Sequence, residues 1–301
     1  MSADFIQKIN FPNSENLELA IFRLDLLHPL IQGNKYFKLL YNLEYALKNN
    51  LQILTYGGAH SNHIHACALA CHSENLACTG IIRGSNFSQL SPTLEKAKEL
   101  GMQLHFVDRE SYRMLRDAPN KAVVKKILEK LNIAIPDNIH CIPEGGSNQL
   151  GIQGAKDILK DIYYDFDYVL CPVGTGGTLA GLILQQAGAK EIIGISSLKD
   201  KYLVEAVAKM IEKDYDNWEI NFDYHFGGYA KFNPDLIAFI NHFKTSTGIA
   251  LCPIYTGKMM YAFYELVKKK RFNKGSKILC LHTGGLQGIE GFNKANNNIL
   301  L

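Results

Sequence analysis

The chain has 301 residues, enough for two domains and for a core that needs neither metal nor disulfide to hold it. Its 32 basic and 29 acidic residues leave a formal charge of +3, which argues against nucleic acid as the partner; Lys268-Lys269-Lys270-Arg271 is the one dense basic run. With 47% apolar residues and no apolar run of about 18, the composition suits a globular protein without a membrane span, and the start MSADFIQKINFP shows no apolar leader region.

Short apolar runs alternate with longer helical patterns, as in βαβ units that build a parallel sheet. Residues 51–56 predict a strand ending at Gly57-Gly58, followed by a helix over 62–72 kept slim by Ala66, Ala68 and Ala70. Residues 77–82 form the next strand. Pro92 opens a helix to residue 100 with Ser91 as its cap, and 103–107 supplies a third strand. Residues 112–131 read as helix interrupted near Pro119, and 138–142 as a short strand closed by Pro143 and Gly145-Gly146. A second series begins with a helix over 149–161. A strand at 168–173 runs into Gly174-Thr175-Gly176-Gly177-Thr178, and a helix at 179–186, a strand at 191–196 and a helix over 201–213 follow. A late strand at 278–282 feeds Thr283-Gly284-Gly285. The fold class expected is α/β with two open parallel sheets and flanking helices. A smaller domain would cover 39–146, and a larger, cofactor-binding one 1–38 with 147–301. Ligands in such folds sit at the carboxyl ends of the strands.

Strand, glycine turn and helix together suit a bound phosphate, because the unpaired N–H groups of the helix start point at the anion. The loop at 174–178 lacks GxGxxG and lacks the lysine of a Walker loop, which leaves a monophosphate site or a structural turn. Lys35, in Gly33-Asn34-Lys35, is either an imine-forming amine or a surface lysine near a helix start. Ser61, in the turn Gly57-Gly58-Ala59-His60-Ser61-Asn62-His63, is either a helix cap or a hydroxyl beside amides that grip a substrate carboxylate.

The stretches GNKYFKL, TYGGAHSNH, PEGGSNQLGIQG, CPVGTGGTLAG, CPIYTGK and LCLHTGG, in this order, resemble fold-type-II pyridoxal-phosphate enzymes. They are similar in particular to the family of 1-aminocyclopropane-1-carboxylate deaminase and D-cysteine desulfhydrase. The resemblance runs from about residue 20 to 290 and implies a tryptophan synthase β-subunit-like fold with its active site between the domains. It implies that Lys35 holds the cofactor covalently, that Gly174, Thr175, Gly176, Gly177 and Thr178 cradle its phosphate, and that Asn62 bonds its ring oxygen. Ser61 resembles the serine at the substrate carboxylate, with His63 beside it in the pocket. Tyr255 resembles the active-site tyrosine at the reacting centre, which with Ser61 is a catalytic candidate for proton transfer or else packs against the ring, and Tyr229 resembles a second tyrosine of the substrate pocket. A homodimer is the assembly expected of the family.

Two positions separate the branches. The deaminases resemble YEG and LGG where this chain has Tyr255-Thr256-Gly257 and Thr283-Gly284-Gly285. A glutamate facing the pyridine nitrogen favours its protonated form, whereas a threonine offers a hydrogen bond only and leaves a weaker electron sink. Thr256, in the substrate pocket, and Thr283, at the cofactor, therefore point to the desulfhydrase-like branch. The expected reaction is α,β-elimination from a small amino acid, D-cysteine first, giving pyruvate, ammonia and hydrogen sulfide; the D preference comes from the resemblance alone. Ring opening of 1-aminocyclopropane-1-carboxylate and a non-catalytic binding protein are the alternatives.

Other chemistries fit less well. His60, His63 and His65 beside Cys67 and Cys71 have the wrong spacing for common zinc sites, and no metal is expected. Cys71 and His72 are adjacent on a helix and cannot face each other as a catalytic pair. The seven cysteines read as buried thiols of a reducing compartment, with cytoplasm as the expected location.

Overall fold

The computed structural model describes residues 5–10, 17–84 and 89–301. In chain order its strands are β1 (Ile6–Ile9), β2 (Glu18–Phe22), β3 (Gln52–Gly58), β4 (Cys78–Arg83), β5 (Gln103–Val107), β6 (Ile139–Ile142), β7 (Tyr168–Val173), β8 (Glu191–Ser196), β9 (Trp218–Asn221) and β10 (Lys277–Leu281). The helices begin with α1 (Asn34–Lys48), α2 (Asn62–Ser73), α3 (Pro92–Glu99), α4 (Arg109–Arg116), α5 (Lys121–Lys130) and α6 (Gln149–Lys156). They continue with α7 (Gly177–Gln186), α8 (Leu203–Ile211), α9 (Pro234–Thr247), α10 (Thr256–Lys268) and α11 (Gly288–Ala295).

The strands form two sheets. One runs β1-β2-β10-β7-β8-β9 and is parallel except for its edge pair β1–β2; the other runs β5-β4-β3-β6 and is parallel throughout. Alternate residues of each strand enter opposite faces, so the larger sheet supports two cores. Leu170, Ile193, Ile278 and Cys280 pack with Leu236, Ile240, Met260 and Phe263 of α9 and α10. Val169, Cys171, Ile192 and Leu279 pack on the other face with Leu179, Ile183 and Val207 of α7 and α8. Each fully buried aliphatic side chain contributes roughly 1.5–3 kcal/mol. The smaller sheet is covered in the same way, by α2 and α3 on one face and by α4 and α5 on the other.

Helix α1 belongs to both halves. Its Phe37 enters a core of the larger sheet, while Leu39 and Ala46 enter a core of the smaller one. The expected domain boundary at 38/39 therefore falls inside a continuous helix. The helix expected over 112–131 is two helices: α4 starts earlier because Asp108 caps it, accepting from the N–H groups of Glu110 and Ser111 at 2.8 and 3.0 Å. Asn120 caps α5 after the break at Pro119. The basic run at 268–271 closes α10, where Arg271 pairs with Glu191 and Glu219 at 3.2 and 3.1 Å. Among the described residues no helix is long and apolar enough to cross a membrane, and no three His, Cys, Asp or Glu side chains gather as metal ligands.

Candidate active site

A cavity of about 430 Å³ opens where the carboxyl ends of β3, β7 and β10 meet the start of α1. Gly33 makes that meeting possible. Its φ is +72°, and a Cβ there would lie 1.9 Å from the carbonyl oxygen of Thr283, so no other residue lets α1 start against the end of β10. Lys35 follows in the first turn and lines the cavity, its Nζ donating to Asn34 Oδ1 at 3.1 Å. Burial lowers its pKa to about 8, so that roughly a tenth of the amine is neutral and nucleophilic at pH 7, far more than for an ordinary lysine.

One helical turn on, Lys38 is 2% exposed and its Nζ donates to Ser147 Oγ at 3.0 Å. Ser147 Oγ lies 2.5 Å from Thr175 Oγ1, and Asn34 Nδ2 donates to Thr178 Oγ1 at 2.7 Å. The loop at 174–178, with the hydroxyls of Thr175 and Thr178 and the amino end of α7, thus faces the Lys38 amine and the Ser147 hydroxyl. A Cβ on Gly177 would sit 2.7 Å from Ser147 Oγ and 2.8 Å from Lys38 Nζ, in the hollow these donors share. Burial, with Lys35 nearby, holds the Lys38 ammonium well below the usual lysine range, and an anion in the hollow would reverse that. The donor set suits a phosphate.

Ser61 caps α2, accepting from the N–H of Ile64 at 3.3 Å, and lines the cavity as well. Asn62 accepts from Gln287 Nε2 at 2.8 Å through its oxygen; its Nδ2 faces Gly285, where a Cβ would come within 2.8 Å. His63 is 2% exposed. Thr55 donates its single hydroxyl proton to the carbonyl of Ile142 at 2.9 Å, so at 2.8 Å it accepts from His63 Nε2–H. His63 is then neutral, with a bare Nδ1 buried and unpartnered; burial and the neighbouring Lys35 and Lys38 hold its pKa well below the usual histidine value. Tyr255 and Tyr229 meet edge-on at the cavity, centroids 6.3 Å apart, and burial raises the Tyr255 phenol well above its ordinary pKa.

Lys35, Ser61, Asn62, His63, Gly174 to Thr178, Tyr229, Tyr255 and Thr283 are thus brought to one cavity. Thr256 is not. It is completely buried behind the wall, and its Oγ1 accepts the Cys252 N–H at 2.8 Å, closing the turn into α10. Pattern reasoning passed over Asn34, Lys38, Ser147 and Gln287. Lys38 had a signal, since its spacing from Lys35 puts both on one helix face.

A family model described as "Pyridoxal-phosphate dependent enzyme" matches residues 10–284. The chain belongs to that family. It is 31% identical over 294 residues to a Pyrococcus abyssi protein provisionally named a 1-aminocyclopropane-1-carboxylate deaminase, covering 91% of this chain and 86% of the relative. It is 30% identical to the bifunctional D-cysteine desulfhydrase/1-aminocyclopropane-1-carboxylate deaminase of Arabidopsis thaliana, over 94% of this chain and 76% of that protein. A crystal structure described as an ACC deaminase homologue superposes with a TM-score of 0.78 at 28% identity, covering 98% of this chain and 93% of the other. The protein is therefore a fold-type-II pyridoxal-phosphate-dependent lyase or deaminase of the 1-aminocyclopropane-1-carboxylate deaminase/D-cysteine desulfhydrase family.

The residues present fit the cofactor. Lys35 supplies a partly neutral amine, Lys38, Ser147 and the 174–178 loop supply a phosphate hollow, and Asn62 presents an amide N–H held in place by Gln287. When bound, pyridoxal phosphate supplies an electron sink for the pair left at the substrate Cα.

Proposed function

We propose that this enzyme eliminates the β-substituent of a small D-amino acid, D-cysteine before others. D-Cysteine and water give pyruvate, ammonia and hydrogen sulfide. Ser61 and the amino end of α2 hold the substrate carboxylate. The neutral fraction of the Lys35 amine, enlarged by its lowered pKa, removes the Cα proton, and the thiolate leaves Cβ with the electron pair of the C–S bond. The Tyr229–Tyr255 pair forms the wall against which a short side chain packs.

The observation that carries this reading is that Thr283, a residue with a hydroxyl and no carboxylate, lines the cavity just after β10. Among the described lining residues the one carboxylate is Glu144, just after β6 on the smaller sheet. A ring nitrogen held by a hydroxyl draws less on a protonated ring, which suits loss of a good leaving group better than opening of a cyclopropane. The D configuration follows the name of the Arabidopsis relative. The cyclopropane acid is the second reading, favoured by the name given to the Pyrococcus abyssi protein. Two domains meeting at α1, with the cavity as their cleft, complete the proposal.

The test is the visible spectrum of the purified, cofactor-loaded protein before and after D-cysteine. A cofactor band that shifts, with pyruvate released, supports the proposal. A band that ignores D-cysteine while 1-aminocyclopropane-1-carboxylate yields 2-oxobutanoate replaces it with the second reading.

A further inference from the structure

Lys258 lies in the first turns of α10, outside the cavity, yet its side chain is completely buried. Its Nζ donates to the carbonyl oxygens of His225 and Gly228, each at 2.8 Å. Those carbonyls belong to the turn that precedes Tyr229. Each already accepts a backbone N–H of that turn: Gly228 N–H to His225 at 3.0 Å, and Lys231 N–H to Gly228 at 3.1 Å. The turn is an improbable one for a free chain. Phe226, Gly227, Gly228 and Ala230 all have φ between +54° and +114°, and two of them carry a Cβ.

Tyr255, which caps the start of α10, and two residues of α10 hold this turn at intervals of three. The Tyr255 ring meets Tyr229, the Lys258 ammonium binds the two carbonyls, and the Tyr261 ring meets Phe226 edge-on with centroids 5.1 Å apart. Residues so spaced lie along one side of a helix. A charge-assisted bond to each carbonyl holds the strained turn more firmly than ring contacts alone. Tyr229 is 41% exposed and lines the cavity beside Tyr255.

We propose that Lys258 is a positioning residue for the substrate wall: it clamps the 225–228 turn to α10 and thereby fixes Tyr229 against Tyr255. The inference rests on the reading of this cavity as the substrate site. Lys258 touches neither the loop at 174–178 nor Lys35, so its work is on substrate binding and not on cofactor retention.

The test is Lys258→Met in the cofactor-loaded enzyme, with Tyr229→Ala and the double variant completing a cycle. Expected are unchanged cofactor absorbance, faster hydrogen exchange over 225–231, and a KM raised about tenfold with kcat changed by less than about threefold. In the Tyr229→Ala background Lys258→Met should raise KM no further. Additive effects on KM, or exchange over 225–231 that stays at the wild-type rate, overturn the proposal. If Lys258→Met does not fold, Lys258→Gln, which keeps one donor, is read in the same cycle. The exchange measurement needs no substrate, so an enzyme that ignores D-cysteine but loosens over 225–231 counts against the proposed reaction and not against the clamp.

Discussion

Thr283 lines the cavity, while Thr256 lies behind its wall with its hydroxyl accepting the Cys252 N–H, so replacing each should have a different outcome. Thr283→Val should lower kcat for β-elimination about tenfold while leaving thermal stability near wild type. Thr256→Val should do the reverse, costing about 1 kcal/mol of stability with little change in kcat. Kinetics and melting curves on both variants check the pair; equal loss of activity would return Thr256 to the site. At this scale the sequence was informative where a residue's own neighbours define its role. Lys35, Ser61 and the loop glycines sit in motifs whose local geometry is legible. The hollow at Lys38 was not, because its partner Ser147 is 109 residues away and only the packing of α1 on α6 brings them together.

The amino end of α7 supports a second contrast. Gly176 has φ of +86°, and a Cβ there would lie 2.6 Å from Val207 Cγ2. Gly176→Ala should therefore strain the loop and cost about 1–3 kcal/mol of stability. Gly177 has ordinary helical backbone, but its missing Cβ leaves room between Ser147 and Lys38. Gly177→Ala should keep the fold and weaken cofactor binding about tenfold, equivalent to roughly 1.4 kcal/mol. Cofactor titration of the two apoproteins, alongside their melting curves, separates these outcomes. Most of the buried parallel strands were legible as elements, since they are short apolar runs with glycine or proline close to one end. Strands β1 and β9 are four residues long and half apolar, and β2, though apolar in four of its five residues, has no glycine or proline beside it, so the pattern marks none of them. The helices α9 and α10, packed on the sheet face opposite α7, complete a layer that alternation of short motifs does not reveal.

At the scale of the whole molecule, the Arg23–Asp25–His282 group ties the ends of β2 and β10 together beneath the cavity. Asp25 accepts from Arg23 at 2.9 and 2.7 Å and lies 2.9 Å from His282 Nδ1, while His282 Nε2 reaches the carbonyl of Ala250 at 2.8 Å. Burial by itself would raise the Asp25 pKa; His282 and Arg23 override it and lower the value to about 2. Because the folded value lies below the unfolded one, the group's contribution, about 2 kcal/mol, is complete above the usual aspartate range and is lost as pH falls through about 2. Asp25→Asn should lower stability at pH 7 and flatten its decline between about pH 4 and 2 in acid unfolding curves. The thiols extend this view. Cys67, Cys71 and Cys78 lie inside the smaller sheet's core, Cys171 and Cys280 inside the larger sheet's two cores, and Cys252 is buried as well; Cys141 alone is partly open to solvent. The native molecule should be almost silent to alkylating reagents. Under mild denaturant, the order in which these sulfurs take up label becomes a clock that times the opening of each half separately.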